Sequence, residues 1–408
     1  MRWTPPERPR WVTRMNAHAE LVGGAEHLVR LDADELVAEA KASTGLDDFG
    51  GDEWRSHYAV FMSSLERESV LHLVGRLLVR HDVLRSLRNR LQLVDLWKRR
   101  SEILTAAIAP PVVITGTARS GTSILHELMA CDPRSRAPAM WEMLHPVEAL
   151  EGDEPRAAAD LTQQFWHDLQ PEYETMHANS GELPNECIFI VMNEFLSDQW
   201  GGCHVVPSYS AHVASADHHE AYRFHRQFLQ TLQQRGTGDY WLLKGPSHLQ
   251  QLKTLFDVYP DARIVHTHRD PLKTLPSNLS LVGTLKWMRC ENVDLEASCE
   301  ELAKGLEFLF RSEVDQRAAG EIPDDRFIDV SFSDLVGDPV ATLGGIYGQL
   351  GMSYPAELQQ RIESYVRNKP RGSRGAHRYT LEEFGLDRST ERERFRFYQE
   401  RFGIPDES

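Results

Sequence analysis

The stretch VVITGTARSGTSILHELM, residues 112–129, reads as a buried strand, a glycine-rich turn and the start of a helix. It comes close to the phosphate-binding pattern G-x-x-x-x-G-K-[ST]. Gly116, Gly121 and Ser123 stand where that pattern puts them, but position 122 is Thr and not Lys. A basic residue comes earlier instead, at Arg119. The glycines let the backbone close around a ligand, and the helix start offers unpaired N–H groups at the positive end of a dipole. In the usual motif the lysine ammonium reaches the β- and γ-phosphates. Thr122 cannot supply that charge. The loop therefore suits a terminal anion with no triphosphate behind it. A tight turn without a ligand would use the same glycines, but the donor-rich run from Arg119 to Ser123 favours an anion.

Outward from this stretch, three more segments look like buried strands: YWLLK (240–244), ARIVHTH (262–268) and RFIDVSF (326–332). Helical patterns lie between them. That alternation implies an α/β fold, a mainly parallel central sheet flanked by helices, with ligands at the carboxyl ends of the strands. Residues 1–15 are rich in Pro and Arg and read as an arm with little structure of its own. From about 25 to 108 the spacing of apolar residues predicts helices, with their arginines on a solvated face. Residues 150–238 also read as mostly helical, with a Gly-, Ser- and His-rich interruption at 201–219. The division expected is a helical N-terminal region, 1–108, packed on a domain formed by 109–408 that carries a helical insertion around 140–235.

The chain has 408 residues, 41% of them hydrophobic and 26% charged, enough for a sizeable core. Lys and Arg number 45 and Asp and Glu 61, a net charge of −16. That excludes a globally basic nucleic-acid surface but allows a local basic pocket. Five cysteines with no C-x-x-C spacing argue for reduced thiols in a cytoplasmic protein, not for a disulfide framework or a zinc site. No apolar stretch has signal-peptide or membrane-spanning character.

A second element points to the same ligand class as the loop. YPDARIVHTHRDPLKTLPSNLSL (259–281) puts Arg269 at a strand end and Ser277 eight residues on, in the next helix. An arginine and a hydroxyl so placed can converge on one phosphate. Pro276 removes an N–H and is expected to kink or delay that helix.

With these residues in view, GTARSGTS (116–123) resembles the loop of sulfotransferases that use 3′-phosphoadenosine 5′-phosphosulfate (PAPS). The resemblance implies that Arg119, Ser120, Gly121, Thr122 and Ser123 hold the 5′-phosphosulfate. It implies that Arg269 and Ser277 hold the 3′-phosphate. In RNKPRGSRGAHRYTLEEFGLD (367–387), Arg371 and Gly372 match the late loop that closes over that phosphate, with Arg374 and Arg378 as further basic residues. STGLDDFG (43–50), HRYTLEEFGL (377–386) and FRFYQERFGI (395–404) resemble the bacterial branch of the family, so the likeness covers most of the chain. It implies a P-loop-like sulfotransferase fold, PAPS as sulfonate donor, adenosine 3′,5′-bisphosphate as product and no required metal.

Sulfonate transfer needs a base for the acceptor, a donor to the leaving oxygen and a grip on the sulfonate. WLLKGPSHLQ (241–250) places Lys244 at a strand end and His248 at a helix start. Lys244 is expected to donate to the bridging oxygen and His248 to take the acceptor proton, its ordinary pKa of ~6.5 suiting that task. Glu142 in APAMWEML is the second candidate base. The acceptor expected is a hydroxyl, before an amine, of a small-molecule or lipid-like compound.

Other clusters read more plainly. ADHHEAYRFH holds His218, His219, Glu220 and His225 but lacks H-E-x-x-H spacing, and it reads as a solvated helix start. Glu182 and Glu186 in SGELPNEC read as surface-loop acids, with a place in an acceptor pocket built by the 140–235 insertion as the alternative. Trp141, Trp166, Trp200 and Trp287 read as core. A diverged P-loop kinase or NTPase would need a carboxylate for Mg²⁺, and Asp329 is its strand-end candidate. A non-catalytic nucleotide-binding protein would not need Lys244 and His248 beside Arg119 and Arg269.

Overall fold

The structure is a computed structural model and describes residues 3–176, 180–369 and 379–407. One parallel sheet holds β1 (Pro111–Gly116), β2 (Ser135–Arg136), β3 (Tyr240–Lys244), β4 (Arg263–His268) and β5 (Phe327–Ser331), in the order β2-β3-β1-β4-β5. The four strands read from sequence are all present. β2 has only two residues and no apolar run to announce it.

A parallel sheet must be covered on both faces. The strand side chains divide accordingly, alternating along each strand. Val113, Trp241, Leu243 and Ile264 enter one core, and Val112, Ile114, Leu242 and Val265 enter the other. The first core continues into the N-terminal helices through Leu36, Phe61, Leu87 and Leu91. In the helix Leu73–Arg99, Val79, Val83, Leu87, Leu91 and Val94 recur every three or four residues and are buried. Each such burial stabilises by ~1.5–3 kcal/mol.

Three local expectations change. The arm at 1–15 is partly helical, because the helix Arg10–Leu21 docks Val12 beside Val74 and Leu78. Before it, Arg8 lies 3.5 Å from the centre of the Trp287 ring, and the Trp287 indole donates to the Pro6 carbonyl at 2.8 Å. The interruption at 201–219 contains the helix Pro207–Ser215, whose first residue is a proline in a position that needs no N–H. Not every arginine of the N-terminal helices is solvated. Arg90 is buried on Glu194 and also donates to the Phe49 carbonyl at 2.7 Å.

Among the described residues, no helix is long and apolar enough to cross a membrane. All five cysteines carry free thiols. β1 lies between β3 and β4, and the chain passes from one side of it to the other after β3. The crevice at such a switch point lies at the carboxyl ends of the strands, where the β1 loop, Lys244 and Arg269 follow.

Candidate active site

The loop after β1 is shaped by close approach to β4. Gly116 has φ +139°, and a Cβ there would lie 2.5 Å from the Thr267 carbonyl oxygen. Arg119 also takes a left-handed conformation, φ 72°, a cost that only a well-held loop sustains. Ser120 does the holding. Its hydroxyl donates to the Thr117 carbonyl at 2.7 Å and lies 2.7 Å from Thr267 Oγ1. Its backbone N–H donates to the Thr117 carbonyl as well. Ser120 therefore fastens the loop, and its donors are already engaged. Gly121 precedes the helix Thr122–Met129, so Thr122 and Ser123 stand at that helix start.

Arg119, Ser277 and Arg269 meet beside this loop. Arg119 Nε donates to Ser277 Oγ at 3.0 Å, and Arg269 Nη1 donates to the Arg119 carbonyl at 3.0 Å. The helix Pro271–Trp287 runs through Pro276 unbroken and carries Ser277 on its buried side. Burial lowers the Arg119 guanidinium from its ordinary value. Arg269 lies over the Phe332 ring at 4.0 Å, and its outer edge holds the Glu407 carboxylate with Nε–Oε1 and Nη2–Oε2 both 2.9 Å. Arg269 thus already grips an oxyanion, which fits a phosphate-bearing ligand.

Lys244, at the end of β3, points into the same place. Its ammonium is buried, donates to Glu186 Oε1 at 2.6 Å and reaches Ser123 Oγ at 3.3 Å. The Lys244 carbonyl accepts from the Cys187 N–H at 2.8 Å, which ties the 185–187 turn to the strand end. Glu186 is therefore no surface-loop acid; its side chain is only 15% exposed. His248 sits on the following 3₁₀ turn, Pro246–Gln251. Its Nδ1 lies 2.7 Å from the Tyr222 hydroxyl, and its Nε2 has no partner among the described residues. It lines a cavity with Cys187, Val191, Leu196 and Tyr222 that has about 20 Å³ of free space, room for one water. Burial pushes His248 down to about 4, so its imidazole is neutral at pH 7.

Other candidates stand apart. Both Glu142 oxygens are held by Arg136, and Oε2 also accepts the Ala139 N–H at 2.9 Å. Glu142 lines a cleft with Arg156, Glu182 and Arg235, and Lys244 is not part of that lining. Asp329 is taken by the Arg317 fork at 2.9 and 2.8 Å and by His268 Nε2 at 2.9 Å. Ligand atoms of His266, His268 and Asp329 come within 4.8 Å of one another, but the Arg317 guanidinium already neutralises the carboxylate. His218 and His225 are buried, not solvated: His218 meets the Val213 carbonyl and His225 the Tyr259 hydroxyl. Arg371, Gly372, Arg374 and Arg378 lie outside the described residues. Just before them, Lys369 pairs with Glu127 of the helix that follows the loop.

The sulfotransferase family model matches residues 110–356. Two curated proteins, both named omega-hydroxy-beta-dihydromenaquinone-9 sulfotransferase Stf3, from Mycobacterium bovis and Mycobacterium tuberculosis, are each 24% identical over 312 residues, 71% of this chain and 76% of theirs. The crystal structure of sulfotransferase STF9 from Mycobacterium avium superposes with a TM-score of 0.82 at 26% identity, over 91% of this chain and 97% of that one. Sulfotransferase STF1 from Mycobacterium tuberculosis H37Rv gives 0.76 at 27% identity, over 90% and 98%. The fold is therefore the P-loop-like sulfotransferase fold. The family match covers more than half of the chain, and on it the protein belongs to the sulfotransferase family.

Proposed function

We propose that this protein moves a sulfonate group from PAPS to a hydroxyl of a lipid-like small molecule and releases adenosine 3′,5′-bisphosphate. The observation that carries this is the convergence of Arg119, Ser277 and Arg269 beside a loop without the triphosphate lysine. Arg119, Gly121, Thr122 and Ser123 would hold the 5′-phosphosulfate, with Ser120 keeping the loop in shape. Arg269 and Ser277 would hold the 3′-phosphate, with Arg371 and Gly372 in the loop that closes over it. When bound, the donor supplies a sulfonate activated by a phosphate leaving group.

The chain's own residues do the rest. Lys244 donates to the leaving oxygen from its place beside Ser123. Glu186 takes the acceptor proton, because it is the carboxylate that already reaches Lys244 at this edge. A lysine drawn to the leaving oxygen frees that carboxylate for its task. His248, neutral and enclosed, shapes the acceptor side with Tyr222, and Glu142 braces the start of the insertion. Arg119, Arg269 and Lys244 together neutralise the developing charge, so the chemistry needs no metal.

For the acceptor, the 140–235 segment lends apolar side chains such as Val191 and Leu196. The Stf3 relatives are named for a hydroxylated menaquinone derivative, a long apolar alcohol. The place of work proposed is the cytoplasm. The test is an acceptor screen with labelled PAPS, using hydroxylated prenyl compounds beside short alcohols. Label should move to the long apolar alcohols. No transfer to any alcohol, or transfer of a phosphoryl group from ATP, would contradict the proposal.

A further inference from the structure

The open edge of Arg269, the residue assigned above to the 3′-phosphate, is filled by an acid of the chain itself. We propose that the Glu407 carboxylate is a built-in competitor for that phosphate, so that nucleotide must displace this carboxylate from Arg269 to bind and is helped off by its return. This rests on the donor site proposed above.

The contact is a fork on a fork, the geometry in which guanidinium groups take carboxylate and phosphate alike. A third N–H, at Nη1, is spent on the Arg119 carbonyl, so the edge holding Glu407 is the one facing outward. The segment is brought there by its own contacts. Gly403, φ 63°, ends the helix Arg388–Phe402 and turns the chain back, and the Ile404 N–H closes the turn on the Gln399 carbonyl at 2.9 Å. Arg392 then joins the two sides. It holds Asp270 at 2.8 and 2.9 Å and Asp406 at 2.9 Å. The Glu407 N–H donates to Asp270 Oδ2 at 2.8 Å. Asp270 is fully buried and adjoins Arg269 in sequence, so the segment is latched to the same turn that presents the arginine.

These backbone and Arg392 contacts do not use the Glu407 carboxylate. Glu407→Gln therefore keeps the latch and removes the competing charge. The pair is partly exposed, with side chains 18% and 29% accessible, so its hold is modest. A phosphate dianion with more acceptor oxygens takes the fork from a single carboxylate. If the open form makes up about a tenth of the molecules, apparent affinity is about tenfold below the intrinsic one.

The test is calorimetric titration of the full chain with adenosine 3′,5′-bisphosphate, without Mg²⁺. Glu407→Gln should bind about three- to tenfold more tightly than the parent. Arg269→Ala should bind more weakly, and Glu407→Gln should change nothing in the Arg269→Ala background. Equal affinity of Glu407→Gln and parent, with Arg269→Ala still weakened, would overturn the competitor and leave the donor site standing. No binding by the parent, or an Arg269→Ala variant that binds as well as the parent, would overturn the donor site and the competitor with it. To separate loss of charge from a loosened segment, Glu407→Asp keeps the charge on a shorter stem and should fall between parent and Glu407→Gln. An affinity for Glu407→Asp beyond that of Glu407→Gln would contradict the charge explanation.

Discussion

At Gly116 the chain has no tolerance for a side chain. A Cβ would meet the Thr267 carbonyl at 2.5 Å in a left-handed conformation. Gly116→Ala is expected to cost at least ~1–3 kcal/mol from the backbone alone and to open the seam between β1 and β4. A melting temperature equal to the parent's would contradict this. At Glu186 the expectation concerns rate. Glu186→Gln should lower turnover by ~10²–10⁴-fold, the range for loss of a general base, while binding of adenosine 3′,5′-bisphosphate stays close to the parent's. His248→Ala should keep far more of its turnover, and the opposite ranking would return the base to His248. The difference in legibility between these residues has a physical cause. Gly116, Arg119, Arg269 and Ser277 sit in short windows whose strand–turn–helix order can be read directly. Glu186 meets Lys244 across 58 residues of chain, and a tie between the Cys187 N–H and the strand end helps to bring them together. Ser120 looked like a ligand donor because it stands in the loop; its hydroxyl faces Thr267, which periodicity does not reveal.

Among the elements, four of the five strands were legible from their buried apolar residues, and β2, with only Ser135 and Arg136, was not. The helix Arg10–Leu21 was not, since it depends on docking Val12 and not on local preference. A further coupling was hidden in plain residue types. Arg317, on the helix Glu296–Ala318, pairs with Glu313 of its own helix and with Asp329 of β5. His266 and His268 of β4 bind the same two carboxylates, and His268 Nδ1 lies 2.7 Å from the Tyr398 hydroxyl of the Arg388–Phe402 helix. One network therefore fixes two strands and two helices behind Arg269. Arg317 holds the Asp329 carboxyl well below the usual carboxylate range, despite the opposing effect of burial. Arg317→Met leaves the buried Glu313 carboxylate without its guanidinium and should cost up to ~3–5 kcal/mol, read from urea melts. A variant within ~1 kcal/mol of the parent would show that the network is not a structural tie.

Over the whole molecule, the N-terminal helices and the sheet share one core, and the fold also buries histidines. Burial pushes His72, His126, His204 and His225 each down to about 3. They stay neutral in the folded chain, while in the unfolded chain they take protons near pH ~6.5. Below that pH the unfolded state binds more protons. Their contribution to stability is thus intact above pH ~6.5 and is lost as pH falls from there toward 3, at up to ~1.4 kcal/mol per pH unit for each histidine. Urea midpoints should hold between pH 8 and 7 and drop between 6.5 and 5; a flat profile down to pH 5 would contradict it. We propose that the loop and the arginines form a site for a 3′-phosphorylated adenosine nucleotide and not for a triphosphate. Melting the protein with adenosine 3′,5′-bisphosphate without Mg²⁺, beside ATP with Mg²⁺, separates the two. At a hundredfold excess over its Kd the bisphosphate should add about 2.7 kcal/mol and raise Tm, ATP should do much less, and Arg269→Ala should erase most of the rise. A larger rise with ATP and Mg²⁺ than with the bisphosphate would contradict the account.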